Sequence, residues 1–303
     1  MPETVATSRQ YTVGSWTATV TRAMRPAQWL KNGVVFAGLV FGGKLLEPAA
    51  VVATTMAALA FCLLSSGFYL VNDVRDRGAD RLHPLKRLRP VPAGELSPRI
   101  AGYLGALLIL FAIGASALLS RGLVLVFLAY AGLMAAYNLG LKAIAILDVF
   151  VIAAGFVLRA VGGAIAVDVS ISPWLLVCTM LLSLLIGFGK RRHELVALEY
   201  ATGHRRNLSV YNQAMLDQSV AVAAAGTLIA YAVYTFDSES AQYHHPMMLT
   251  IPIVAYGVFR YLYLLYLGGQ GGAPEAMLLT DRPLVAAVAA WAVVSAILFY
   301  FAG

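Results

Sequence analysis

A chain of 303 residues that is 60% apolar, only 12% charged and has a mean hydropathy of +0.77 is excluded from the soluble globular class. Apolar runs long enough to cross a bilayer recur from about residue 33 to the C-terminus, and in hydrocarbon such runs must be helical, because an unpaired backbone group costs too much there. The net charge of +7 sits in the connections between these runs, where membrane topology accounts for it and leaves no case for a nucleic-acid partner.

In chain order, residues 1–21 are polar and rich in Thr and Ser. They have no apolar core and no cleavage site, so they read as a polar tail, mobile or surface-lying, and not as a signal peptide. Residues 22–303 read as a single all-α, polytopic transmembrane domain. Nine spans are expected, at roughly 28–46, 50–72, 100–119, 122–139, 144–166, 173–190, 217–236, 247–267 and 283–301. Of the 22 Lys and Arg residues, 18 fall in the N-terminal segment or the even-numbered loops, among them Arg9, Arg205 and Arg206. Lys44 and Arg121 fall on the other side, and Arg159 and Arg260 within spans. The positive-inside rule therefore places the N-terminus and the long loops in the cytoplasm of a multi-pass plasma-membrane protein. Cys62 and Cys178 both lie within spans, with no metal-ligand spacing, and read as small packing residues.

Before span one, Arg25-Pro26-Ala27-Gln28-Trp29-Leu30-Lys31-Asn32 has the composition of an interfacial anchor. The alternative is that Gln28 and Lys31 share in binding a lipid phosphate.

The end of span two carries the strongest signal. Asn72-Asp73-Val74-Arg75-Asp76-Arg77-Gly78-Ala79-Asp80 places carboxylates at i, i+3 and i+7. At about 100° per residue these share one helix face. They could pair with Arg75, Arg77 and Arg81 in water. The sharper reading is that Asp73, Asp76 and Asp80 hold Mg²⁺, which takes a few carboxylates and completes its shell with water and substrate phosphate oxygens. Such an ion makes diphosphate a better leaving group. The following loop, His83-Pro84-Leu85-Lys86-Arg87-Leu88-Arg89-Pro90, is kept from helix by its prolines. Lys86, Arg87 and Arg89 there are candidates for phosphate oxygens, the alternative being a loop that only orients the protein.

Further along, Tyr137-Asn138-Leu139-Gly140-Leu141-Lys142 and Asp148 place polar groups at the ends of spans four and five. Asp148 and Arg159 are about three turns apart, so each needs its own partner or a wet cavity. Asn138, Lys142, Asp148 and Arg159 are accordingly candidate pocket residues, the alternative being structural contacts to neighbouring helices. Gly189-Lys190-Arg191-Arg192-His193-Glu194 closes span six and reads either as a stop signal or as a substrate site using Lys190, Arg191, Arg192 and Glu194. The longest polar connections, at about 77–98 and 191–216, each follow an even-numbered span, giving two loosely similar halves. The run GGQGG at 268–272 lacks the strand context of a nucleotide loop and reads as a turn.

Taken together, Asn72-Asp73-Val74-Arg75-Asp76-Arg77-Gly78-Ala79-Asp80 after the second span resembles the NDxxDxxxD motif of the UbiA superfamily of intramembrane prenyltransferases. The resemblance extends from about residue 22 to the end, and implies nine helices around a cytoplasmic-side active-site cavity. Typical members carry a second Asp-rich motif after span six for another Mg²⁺, whereas this chain has Lys190-Arg191-Arg192-His193-Glu194 there. That departure, with DRxHPxKRxRP at 80–90 and QWxKN at 28–32, resembles the decaprenyl-phosphate phosphoribosyltransferase branch. The branch implies transfer of 5-phosphoribose from phosphoribosyl diphosphate (PRPP) to a polyprenyl phosphate, in cell-wall arabinan synthesis, with diphosphate as leaving group and Mg²⁺ as cofactor held on it by Asp73, Asp76 and Asp80 with Asn72 assisting. The implied partners are PRPP, the polyprenyl phosphate and the bilayer, while a homo-oligomer is left open by the sequence. Two rival expectations remain: a conventional prenyltransferase with a prenyl diphosphate donor and an aromatic acceptor, and a transporter of phosphorylated lipid or small anions.

Overall fold

The computed structural model describes residues 13–170, 172–199, 211–237, 245–267, 277 and 280–301. Arg9, Arg205, Arg206, the first twelve residues and the GGQGG turn lie outside the described residues. The described residues are helical throughout and contain no strand. Seven of their helices are long and apolar enough to cross a membrane, so the chain is an all-α, multi-pass membrane protein.

Helix α1 (Val13–Met24) takes up part of the expected tail. It buries Thr19 and Ala23, one turn apart, and leaves Trp16 and Arg22 exposed. Ala23 packs with Leu70, Val91 and Leu96, which ties α1 to the long helix that follows.

The chain turns at Arg25, whose φ of 56° and ψ of 64° are left-handed. The expected span at 28–46 is not one long helix. A 3₁₀ segment (Pro26–Phe36) gives way to the five-residue α2 (Ala37–Phe41). At rises of about 2.0 and 1.5 Å per residue the two pieces together reach roughly 30 Å, close to the thickness of a bilayer core. This segment lies backbone to backbone against α7 (Leu147–Ala166). A Cβ on Gly163 would sit 1.8 Å from the Val35 carbonyl oxygen, and one on Gly38 would sit 2.6 Å from the Ala164 backbone.

The next helix, α3 (Pro48–Arg75), has 28 residues and extends about 42 Å. It is followed at once by α4 (Arg77–Leu82) and, after Pro84, by a 3₁₀ turn at Lys86–Leu88. Helices α5 (Pro98–Ala117) and α6 (Arg121–Leu139) both begin on a serine cap. Ser97 Oγ accepts from the Ile100 amide at 3.3 Å and Ser120 Oγ from the Leu123 amide at 3.1 Å. A 3₁₀ turn at Leu141–Ala143 leads into α7. The rest comprises α8 (Pro173–Glu199), α9 (Gln213–Asp237), α10 (Ile251–Tyr266), which follows a 3₁₀ turn at His245–Thr250, and α11 (Arg282–Phe301). Helix α8 continues past residue 190, where the expected span ends, so the cationic cluster at 190–192 lies inside a helix and not in a loop.

Two apolar cores meet along α7. Phe61, Leu64, Phe127 and Tyr130 centre the first, and Leu185, Leu216, Val220 and Leu265 the second. Leu158 and Val161 of α7 face the first core, while Val149 and Ala153 belong to the second. The outer faces keep exposed apolar residues such as Leu110, Phe111, Leu125, Val222, Ile229 and Phe259. A lipid-facing surface requires this, since helices in a bilayer need no polar exterior.

Candidate active site

Helix α3 closes with the Asp76 amide donating to the Asn72 carbonyl at 2.8 Å, and the Asp80 amide donates to the Asp76 carbonyl at 2.8 Å. At Asp76 itself, φ −88° and ψ 3° break the helical path. A uniform 100° projection from Asp73 to Asp80 therefore fails, and the expected single acid face divides in two. Asp73 and Asp80 are buried and meet at Arg89, whose Nη1 lies 3.2 Å from Asp73 Oδ1 and 2.8 Å from Asp80 Oδ2. Arg25 donates to the same Asp73 Oδ1. Asp76 turns instead to Lys142, at 2.5 Å, and Lys142 also donates to Asn72 Oδ1 at 3.3 Å. Among the described residues no three acidic, His or Cys side chains stand close enough to hold an ion together. The neighbouring arginines do not neutralise the acids either. Arg75 donates to the Leu139 carbonyl at 3.2 Å and Arg81 to the Pro92 carbonyl at 3.1 Å, while Arg77 Nε is buried without a partner.

Beside this network lies a cavity of about 500 Å³ whose lining includes Arg25, Gln28, Asp73, Arg89, Leu85 and Leu88. Asp73 Oδ2 is buried and has no hydrogen-bond partner. A bare carboxylate oxygen in such a place is costly unless something charged arrives to meet it. Arg25 is braced from behind, with its guanidinium 4.9 Å from the centre of the Tyr69 ring. Burial, and then the proximity of Arg25, hold the Arg89 guanidinium below the ordinary arginine value, against the pull of Asp73 and Asp80. The basic loop is shaped by His83, whose Nδ1 accepts from the amides of Leu85 (3.2 Å) and Lys86 (3.3 Å). Arg87 is exposed on this loop and Lys86 is half-buried. Gln28 and Lys31 are half-buried on the 3₁₀ segment. That segment is pinned to α3 by Trp29 Nε1 donating to Ser66 Oγ at 3.0 Å, and by Ser66 Oγ donating to the Met24 carbonyl at 3.0 Å.

A second polar node joins α7, α8 and the segment before α9. Arg191 Nε lies 2.7 Å from Asp148 Oδ2 and its Nη1 lies 2.6 Å from Glu194 Oε2. The Tyr211 hydroxyl donates to Asp148 Oδ1 at 3.0 Å and accepts from the Ile146 amide. Burial pushes the Tyr211 phenol up to about 12, so it remains a donor at neutral pH. Arg192 lies 2.5 Å from Asp217 and stacks 4.3 Å from the Tyr266 ring centre. The two arginines expected on a substrate are therefore matched by carboxylates. Lys190 is half-buried on the same helix, and Asn138 is buried with its Oδ1 unpartnered.

Arg159 stands apart from Asp148. Its Nε donates to Asn32 Oδ1 at 2.7 Å, Nη1 to the Gly155 carbonyl at 2.9 Å and Nη2 to the Tyr130 hydroxyl at 2.7 Å. Asn32 in turn donates to Cys62 Sγ at 3.1 Å. Cys62 and Cys178 are both buried and free. Arg159 is thus a buried cation on neutral partners, tying the broken first segment to α6 and α7.

The site set read from sequence left out Arg25, Tyr211 and Asp217. Arg25 had one local signal, a cation beside Pro26 at the head of an anchor segment, whereas Tyr211 and Asp217 had none.

Comparison with known proteins places this geometry in a family. A model of the UbiA prenyltransferase family matches residues 33–280. The decaprenyl-phosphate phosphoribosyltransferase of Mycolicibacterium smegmatis is 34% identical over 288 residues, covering 89% of each chain. That of Corynebacterium glutamicum is 33% identical over 285 residues, covering 89% of this chain and 83% of the other. Among solved structures, the UbiA homolog of Archaeoglobus fulgidus bound to GPP and Mg²⁺ superposes with a TM-score of 0.73 at 17% identity, covering 93% of this chain and 99% of that one. The same fold, a family match across most of the chain and relatives alike nearly end to end lead to one conclusion: the chain belongs to the UbiA prenyltransferase family.

Proposed function

We propose that this chain is a glycosyltransferase of the plasma membrane that moves 5-phosphoribose from PRPP to a polyprenyl phosphate, decaprenyl phosphate in particular, releasing diphosphate at the cytoplasmic side. The relatives named for that activity support the reading, at 33–34% identity over most of their length. The observation that carries it is the pairing of buried Asp73 and Asp80 through Arg89, with Asp73 Oδ2 bare beside a cavity that Arg25 also lines. Alternating carboxylates and guanidinium groups suit a ligand that presents both a metal ion and phosphate oxygens.

The residues fit Mg²⁺. One or two carboxylates are enough for this ion, which draws its remaining ligands from water and substrate phosphate. Asp73 and Asp80 are the first ligands in this reading, and Asp76 with Asn72 forms the adjoining pair on Lys142. Bound there, the ion would neutralise charge on the departing diphosphate. Arg25 and Arg89, next to the same carboxylates, bind phosphate oxygens in this reading, where a planar fork can give two bonds to one phosphate. Lys86, Arg87 and Lys190 are cationic candidates for the 5-phosphate and the lipid phosphate. Arg191 and Arg192, matched by Asp148, Glu194 and Asp217, hold α8 in register. The acceptor phosphate is already anionic near neutral pH, so the residues need not supply a strong base. Positive charge builds on ribose C1 as diphosphate leaves, and attack from the opposite face inverts that centre. Leu85 and Leu88 give the cavity an apolar edge toward the lipid chain.

The test is direct. Full-length protein in detergent with Mg²⁺ is expected to release diphosphate from PRPP only when polyprenyl phosphate is present. Turnover of a prenyl diphosphate with 4-hydroxybenzoate, and none of PRPP, overturns the proposal.

A further inference from the structure

We propose that Arg25 and Arg89 close the acidic pair in the free protein and that a diphosphate group is needed to open it, so that the divalent ion enters as a metal–diphosphate unit and not alone. This rests on the reading of a diphosphate-bearing substrate given above, and adds Arg25 as a substrate-positioning residue.

The argument begins with the count of charges in the network. Asp73 and Asp80 face Arg25 and Arg89, two negative groups against two positive ones. Both guanidinium groups use Asp73 Oδ1, and Arg89 bridges to Asp80 Oδ2. A divalent ion arriving alone can start at Asp73 Oδ2, but to gain Asp73 Oδ1 and Asp80 Oδ2 as well it must take them from the arginines and then share the space with two displaced cations. The side chains of Asp73 and Asp80 are 1% and 7% exposed, so little water is at hand to replace what is lost. Breaking a buried ion pair without compensation is strongly unfavourable.

A diphosphate changes that balance. Each carboxylate exchanges a guanidinium for the metal, and each guanidinium exchanges a carboxylate for phosphate oxygens, a pairing at least as good in geometry. No charged group loses a partner. Asp73 Oδ2 is already unpartnered, and offers the ion a first foothold while Oδ1 is still held. Arg25 has little freedom to leave the site. Its backbone is left-handed, Pro26 follows, and the Tyr69 ring backs its guanidinium. The exchange is therefore a short turn of the side chain at the cavity wall and not a departure from it.

The experiment measures protein-bound Mn²⁺ by equilibrium dialysis of the full chain in detergent, with and without inorganic diphosphate, for wild type, Arg25→Gln and Arg25→Lys. Wild type is expected to bind Mn²⁺ at least about tenfold more weakly without diphosphate than with it. Arg25→Gln, with one bar removed, is expected to bind Mn²⁺ several-fold more tightly in the absence of diphosphate and to gain less from its addition. Arg25→Lys, which keeps the charge, is expected to stay near wild type without diphosphate. Melting curves of each variant establish that it is folded, and the wild-type pair of measurements stands without any variant. Equal Mn²⁺ binding by wild type with and without diphosphate overturns the proposal, as does a folded Arg25→Gln protein whose diphosphate-free binding is unchanged. Failure of PRPP turnover in the preceding assay strikes the reaction assignment alone, because the probe here is inorganic diphosphate.

Discussion

Asp73 concentrates the chemistry of the site in two oxygen atoms with different roles. Oδ1 is shared by Arg25 and Arg89, and Oδ2 has no partner. Replacing it with Asn keeps an oxygen for the guanidinium groups and removes the charge a divalent ion needs. Arg89 retains Asp80 and Arg25 retains the Tyr69 ring, so the fold is not left with an abandoned buried cation. Asp73→Asn is therefore expected to lower kcat for PRPP by about a hundredfold or more while shifting the melting midpoint in detergent only slightly, checked by diphosphate release alongside thermal unfolding. Full activity in this variant removes Asp73 from metal binding. At this scale the sequence was readable in part. Residue type and spacing singled out Asp73, Asp76 and Asp80, but the sharing of Asp73 with Arg25 spans 48 positions and that of Asp76 with Lys142 spans 66. Local spacing carries no record of such pairings. The helical projection also presumed one unbroken helix, and the turn at Asp76 sends that side chain toward a different partner.

The elements are governed by how closely backbones approach. Long apolar runs translate directly into helices from α3 onward, because lipid offers the backbone no other donor or acceptor. The first segment escaped that logic. Its hydropathy resembles a span, but Gly38 and Gly163 bring it against α7 at a distance that a side chain would occupy. Hydropathy counts side chains and cannot register a contact made by their absence. The overrun of α8 has a similar cause, since Arg191 and Glu194 sit three residues apart on one face and meet there. A charge cluster that reads as a stop to the span is thus compatible with continued helix. The packing has a direct test. Gly163→Ala places a Cβ 1.8 Å from the Val35 carbonyl oxygen and must push the first segment off α7, whereas a Cβ on Gly114 of α5 meets nothing within 4 Å. Gly163→Ala is expected to lower the melting temperature and yield of the detergent-purified protein by a wide margin. Gly114→Ala is expected to leave both unchanged or slightly raised, as the intrinsic helix preference of Ala over Gly predicts.

For the whole molecule, the division of charge predicts an orientation that the fold makes testable. Cys62 and Cys178 are buried, so the native chain offers little background to a thiol reagent. Leu88, in the basic loop, and Leu46, between α2 and α3, are both exposed. A membrane-impermeant maleimide applied to intact cells is expected to label Leu46→Cys, and to label Leu88→Cys only after permeabilisation. The reverse pattern inverts the topology and moves the acidic site to the opposite face. The two cores meeting on α7 also bear on how the chain is made. Arg159 lies in the interior of that helix, and a lone arginine at the centre of a span opposes insertion by about 2.5–3.5 kcal/mol on translocon scales. Its side-chain partners Asn32 and Tyr130 both precede it in the chain. During synthesis they have already left the ribosome when α7 reaches the translocon, so the earlier segments can act as an intramolecular chaperone that shelters the guanidinium on its way into lipid.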